Sequence, residues 1–167
     1  MKIVILGSNG LLGNTISKYF FERADYQTIA VLRNYSKIKL FNQKYHKNFL
    51  IIENILNYNE TKKKLQRLKP DILINCLGIT NKEIIDNSRQ IENIININSL
   101  LPHKLQRICS EMGTRLIHLS TDCIFSGSKG FYSENDIPDP TDIYGRSKLL
   151  GELDLENTLT IRKSVIG

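Results

Sequence analysis

Short, continuous apolar runs alternate along this chain with stretches whose apolar residues recur at helical spacing. The segments Lys2–Leu6, Thr28–Leu32, Phe49–Ile52, Asp71–Asn75, Arg115–Ser120 and Thr158–Arg162 read as strands. Between them, Leu11–Arg23, Glu60–Leu68, a segment from Ile84 to Ile97, Leu100–Met112 and Tyr144–Leu155 read as helices. Pro70 stops the second helix and Gly113 the fourth. Continuous apolar strands alternating with helices imply a parallel sheet covered on both faces. Right-handed connections then give a Rossmann-type, doubly wound α/β fold of three layers. There is no repeat, linker or low-complexity tract, so residues 1–167 are expected to form one domain.

Composition excludes more than it selects. The chain is 41% hydrophobic and 24% charged, ordinary values for a globular protein. No apolar run is long enough to span a bilayer, and the apolar start runs into a glycine loop rather than a cleavage site. A cytoplasmic protein with no membrane partner is expected. The three cysteines, Cys76, Cys109 and Cys123, form no C-x-x-C pair, which argues against a disulfide framework or a zinc site. His118 lies inside an apolar run and reads as a core histidine. The net charge of +6 suits an anionic small ligand. Its densest basic run, Lys62–Lys64, sits on an amphipathic helix and reads as a solvated face, so no nucleic-acid partner is expected.

The chemistry begins at Gly7-Ser8-Asn9-Gly10-Leu11-Leu12-Gly13, between the first strand and the first helix. Glycines there permit a tight turn and let backbone N–H groups approach a pyrophosphate at the helix N-terminus. No Gly-Lys-Ser/Thr follows, so this is not a P-loop. Arg33 ends the second strand, where an NAD-selective site places an acid for the ribose 2′-hydroxyl. A guanidinium suits a 2′-phosphate instead, so NADP(H) is preferred and NAD(H) is the alternative. A solvated strand-end arginine is the plainer reading of the same residue. Cys76-Leu77-Gly78 closes the fourth strand, its glycine giving a cofactor room to pass.

Downstream come Ser120-Thr121-Asp122 and Tyr144-Gly145-Arg146-Ser147-Lys148. Tyr144 and Lys148 share a helix face. An ammonium beside a phenol is expected to lower its pKa, so that Tyr144 exchanges a proton with a carbonyl oxygen while hydride moves at the carbon. Thr121 would hold that oxygen. The same Tyr-x-x-x-Lys spacing occurs at Tyr35/Lys39 and Tyr58/Lys62, so order and context select Tyr144.

The sequence resembles the extended short-chain dehydrogenase/reductases that act on nucleotide sugars, and within them the dTDP-4-dehydrorhamnose reductase group. The resemblance rests on the glycine loop, on Asn75-Cys76-Leu77-Gly78, on Ile117-His118-Leu119-Ser120-Thr121-Asp122-Cys123-Ile124-Phe125-Ser126-Gly127, and on Gly130-Phe131-Tyr132-Ser133-Glu134, Pro138 and Tyr144–Glu152. It implies a catalytic set of Thr121, Tyr144 and Lys148, with Tyr144 and Lys148 also binding the cofactor and Lys148 holding its ribose. It places Asn54 and Ile55 near adenine, although the family often has Asp at the first of these. It implies a nucleotide-sugar substrate and pairing of two copies through the helices around Leu100–Met112 and Tyr144–Leu155. Family members continue into a substrate lobe that is absent here. This chain is therefore expected to be the cofactor-binding part of a longer enzyme, or a truncated copy, with little reductase activity alone. A same-fold epimerase remains a rival. A dehydratase is disfavoured because Asp122-Cys123, not Asp-Glu, follows Thr121. A non-catalytic NADP-binding regulator or remnant is the reading from another class.

Overall fold

The computed structural model describes residues 1–80 and 88–164. Six strands form one parallel sheet: β1 (Lys2–Leu6), β2 (Gln27–Leu32), β3 (Phe49–Ile51), β4 (Ile72–Asn75), β5 (Arg115–Leu119) and β6 (Thr158–Ile161). Their order is β3-β2-β1-β4-β5-β6, with β1 hydrogen-bonded to both β2 and β4. This is the doubly wound order, and its direction of winding reverses between β1 and β4. A crevice opens at such a point beyond the carboxyl ends of the strands.

Alternation within β1 divides the core. Ile3 and Ile5 pack with Ile74 and, from helix α1 (Leu11–Phe21), with Ile16 and Phe20. Val4 and Leu6 face the other way. They pack with Leu65 of α2 (Tyr58–Leu68) and with Leu101, Leu105 and Ile108 of α4 (Leu101–Met112). Helices therefore cover both faces, as the uninterrupted apolar strands require.

Several helix ends differ from the sequence reading, each for a local reason. Asn57 caps α2 by accepting from the Glu60 N–H at 3.2 Å, which starts the helix at Tyr58 rather than Glu60. The helix expected from Ile84 begins outside the described residues. Its described part is α3 (Ser88–Ile94), which runs through a π-helical turn at Ile95–Leu100 into α4. Gly113, at φ +67°, ends α4 as expected. The last helix, α5 (Ile143–Leu149), is shorter than the expected Tyr144–Leu155. Its chain turns at Gly151, whose N–H donates to the Lys148 carbonyl at 3.0 Å. A Cβ at Gly151 would lie 3.0 Å from the Asn98 carbonyl carbon and 3.2 Å from Pro102, so backbone packing fixes that turn. No α-helix links β2 to β3. Two 3₁₀ turns, Tyr35–Leu40 and Gln43–Asn48, do so, with Phe41, Tyr45 and Phe49 packed around Phe21 of α1. Among the described residues no helix is long and apolar enough to cross a membrane.

Candidate active site

The glycine loop is shaped by two close approaches. Gly7 has φ +76°, and a Cβ there would lie 3.1 Å from the Cys76 carbonyl, so β1 can leave the sheet tight against the end of β4. A Cβ at Gly13 would fall 2.6 Å from the Gly7 carbonyl carbon and 3.0 Å from Ser8 Cα. Glycine there lets α1 start directly behind the loop. Gly10 caps α1 without a side-chain hydrogen bond, and the first turn carries no acid. The helix N-terminus is thus left to whatever anion approaches it.

Beside this loop lies a cleft of about 590 Å³ at the reversal point. Of the expected cofactor residues, Gly7, Asn9, Arg33, Asn54, Ile55, Leu77 and Gly78 line it. Gly10, Leu11, Leu12 and Gly13 form the α1 entry next to it. Cys76, Tyr144 and Lys148 are not among the lining residues; the Cys76 backbone is the surface on which Gly7 rests. Sequence reasoning missed Ile79, Asn93 and Glu53 in the lining. Glu53 follows β3 and faces the same cleft as Arg33, a detail visible only once β2 and β3 are paired. Apolar walls from Val31, Leu32 and Ile52 with an anion-seeking helix end fit a dinucleotide's adenosine and pyrophosphate.

Past the end of β5, Thr121 is buried and caps a short turn, Asp122–Ile124, by accepting from the Cys123 N–H at 3.2 Å. Opposite it, Asp142 caps α5 by accepting from the Gly145 N–H at 2.7 Å. A Cβ at Gly145 would lie 2.9 Å from Pro140 Cβ and 3.1 Å from the Cys123 carbonyl carbon. The bare glycine lets α5 dock on the turn that holds Thr121, and this sets Tyr144 close enough to Thr121 for the two to influence each other, while the Thr121 hydroxyl donates to Asp122 Oδ1 at 3.2 Å.

The charge balance differs from the sequence expectation. Burial holds the Tyr144 phenol above its usual range, Thr121 opposes it, and Cys123, Asp122 and Asp142 push the same way as burial. Lys148 does not lower it. Its Nζ instead donates to the Leu119 carbonyl at 2.6 Å and stands 3.5 Å from His118 Nε2. Lys148 is buried, and desolvation pulls its pKa down to about 8 although Glu152 and Cys76 favour the charged form. The Cys76 thiol is pushed up to about 12 by burial.

The rival pairs are elsewhere. Tyr35 is exposed in a 3₁₀ turn, and Tyr58 opens α2 with its ring packed against the core and its hydroxyl buried without a hydrogen-bond partner among the described residues. Asn98 was not foreseen. From the π-helical turn its side chain donates to the Ile79 carbonyl and Ser147 Oγ and accepts from the Ile79 N–H, tying the cleft wall to α5. Its only sequence-level signal was its place in a polar Asn run between apolar residues. Among the described residues no group of His, Cys, Asp and Glu could hold a metal ion.

Comparison with known proteins bears on this arrangement. The family model described as the RmlD substrate binding domain matches residues 1–166. Methionine adenosyltransferase 2 subunit beta of Danio rerio is 28% identical over 155 residues, covering 92% of this chain and 43% of that protein. A hypothetical dTDP-4-dehydrorhamnose reductase from Sulfolobus tokodaii superposes with a TM-score of 0.78 at 28% identity, over 97% of this chain and 55% of that one. The dTDP-4-dehydrorhamnose reductase of Bacillus anthracis, solved in complex with NADP, superposes at 0.72 and 24% identity over 96% of this chain and 52% of that one. The chain thus spans about half the length of the proteins it matches.

Proposed function

The chain belongs to the RmlD substrate binding domain family, and from that premise we propose that it is the cofactor-binding part of an NADP(H)-dependent reductase. Its substrate would be a nucleotide-linked 4-keto-6-deoxy sugar. The observation that carries this reading is the placement of Tyr144 beside Thr121 past the carboxyl end of β5, where Gly145 docks α5 on the turn that Thr121 caps.

NADPH, when bound, supplies the hydride that the keto carbon accepts. Gly7 and the α1 entry hold the pyrophosphate, and Arg33 pairs with the 2′-phosphate. Thr121 donates a hydrogen bond to the keto oxygen and fixes its position. Tyr144 gives its phenolic proton to that oxygen as negative charge develops there. A phenol held above its usual pKa stays protonated at neutral pH, which suits the reductive direction. Lys148 lies one helical turn from Tyr144 and supplies positive charge on the cofactor side once its amine leaves the Leu119 carbonyl. Pairing of two copies across α4 and α5 is supported by exposed Leu100, Leu150 and Leu155.

A second reading, a non-catalytic nucleotide-binding subunit, is favoured by one observation: the Danio rerio relative is named as a subunit of methionine adenosyltransferase. Two measurements separate the readings. NADPH binding is titrated by calorimetry, and NADPH oxidation is then followed with a dTDP-linked 4-keto-6-deoxy sugar, using the gene product as its source cell makes it. Binding with turnover supports the reductase. Binding without turnover supports the subunit, and absence of binding overturns both.

A further inference from the structure

Beneath Thr121 and Tyr144 runs a buried polar chain that hydride and proton transfer do not use. Asn75 ends β4, and His118 is its register partner in β5. Both are fully buried, and polar groups at that depth need partners. The Leu77 N–H donates to Asn75 Oδ1 at 3.1 Å. That contact orients the amide, so Asn75 Nδ2 faces His118 Nδ1 at 3.0 Å. An amide NH₂ only donates. His118 Nδ1 must therefore carry the lone pair, and the ring proton sits on Nε2. Nε2 in turn faces Lys148 Nζ at 3.5 Å.

This register accommodates a neutral amine, whose lone pair can receive the Nε2–H. An ammonium has no lone pair and calls for an accepting Nε2. The ring proton then belongs on Nδ1, where its acceptor is Asn75 Oδ1. Turning that amide presents Nδ2 to the Leu77 N–H, which loses its acceptor. Leu77 lines the nucleotide cleft.

We propose that Asn75 and His118 are positioning residues that form a two-register relay between Leu77 in the cleft wall and Lys148. In one register His118 is Nε2–H, Lys148 is neutral and Leu77 is bound to Asn75. In the other His118 is Nδ1–H, Lys148 is charged and the Leu77 N–H is free to face the cleft. The ring stays neutral in both, so the net change is one proton taken from solvent by Lys148.

The surroundings suit this exchange. Burial, with Lys148 and His103 adding to it, pulls His118 down to about 3, so the ring does not charge at neutral pH. Lys148, at about 8, titrates there. Glu152 favours the ammonium but is engaged by Arg162 and Ser120. The Cys76 thiol, at about 12, remains neutral. Tyr144 on the same helix stays protonated. An anionic cofactor would favour the charged register; that step rests on the proposed function, whereas the relay does not.

The test is NMR of the unliganded chain with labelled histidine and lysine, titrated from about pH 6 to about pH 10 to bracket Lys148. His118 should change from Nδ1–H to Nε2–H as pH rises, with the midpoint of the Lys148 Cε signal and without ring protonation. Asn75→Asp, which can only accept at this contact, should hold His118 as Nδ1–H at every pH. A tautomer that stays constant through the Lys148 titration, or a ring that protonates with it, overturns the relay. The unsubstituted protein decides this even if the variant does not fold. No cofactor is used, so failure here leaves the functional reading standing, and failure to bind NADPH leaves the relay standing.

Discussion

Replacing Gly145 with alanine should damage the site more than the fold. The added Cβ would lie 2.9 Å from Pro140 Cβ and 3.1 Å from the Cys123 carbonyl carbon. Carbon atoms pack at about 3.5–4.0 Å, so the start of α5 must retreat by on the order of 1 Å. Overpacking of this kind costs about 2 kcal/mol, and alanine returns about 1 kcal/mol in helix propensity. The net loss of about 1 kcal/mol lowers Tm by about 3 °C in a chain of this size. The same retreat separates Tyr144 from Thr121, which stand on either side of this contact. Misplacement by about 1 Å costs a reacting group about 100-fold in rate. Thermal unfolding gives the first quantity. The second comes from turnover in the gene product and, independently, from the phenol titration of Tyr144, which should rise further once Thr121, whose proximity lowers it, is farther away. A variant with unchanged Tyr144 titration and near-normal turnover would refute the idea that Gly145 sets the Thr121–Tyr144 distance.

NADPH should bind more tightly than NADH, and Arg33→Ala should remove about tenfold of that preference, the scale of a hydrogen bond to a charged group; calorimetry with both cofactors checks it, and equal affinities in the parent protein would sink it. Glu53→Gln, which removes the acid sharing the cleft with Arg33, should strengthen NADPH binding and leave NADH less affected. Tyr144→Phe should abolish turnover with the fold retained, whereas Tyr35→Phe, at an exposed ring, should leave turnover unchanged; near-normal rates in the former would mean that the proton comes from another group. Stability should rise with pH in two windows. His118 has a folded pKa of about 3 against an ordinary value of 6.5, so the unfolded chain binds the extra proton between them and stability falls as pH drops through that range. Lys148, at about 8 against 10.5, adds on the order of 3 kcal/mol as pH rises through its own window. Urea unfolding at stepped pH measures both, and a flat profile in Lys148→Met above pH 8 would assign the upper limb to that residue.

The elements that carry local signals were legible before any folding. Strands buried on both faces read as continuous apolar runs, and the order of glycine loop, Thr121 and Tyr144 follows the chain. The six strands and the reversal between β1 and β4 come from that pattern and from the handedness of crossovers. What the chain alone left open depends on contacts between distant residues. The early end of α5 was hidden because Gly151 stops it by packing on Asn98, a contact absent from any local pattern. Glu53 carries no local signal of its own; only the pairing of β2 with β3 brings it to the cleft that Arg33 also lines. His118 read as a core histidine, which its burial bears out. Its partners are Asn75, separated by 43 residues in sequence, and Lys148, separated by 30. Sequence spacing brought Lys148 to the Tyr144 face of a helix, but the amine follows the nearest buried acceptor, and the sheet placed the Leu119 carbonyl there. Periodicity and motif order are local properties, readable from one strand of text. Protonation and hydrogen-bond direction are set by the low-dielectric neighbours that only the folded sheet assembles.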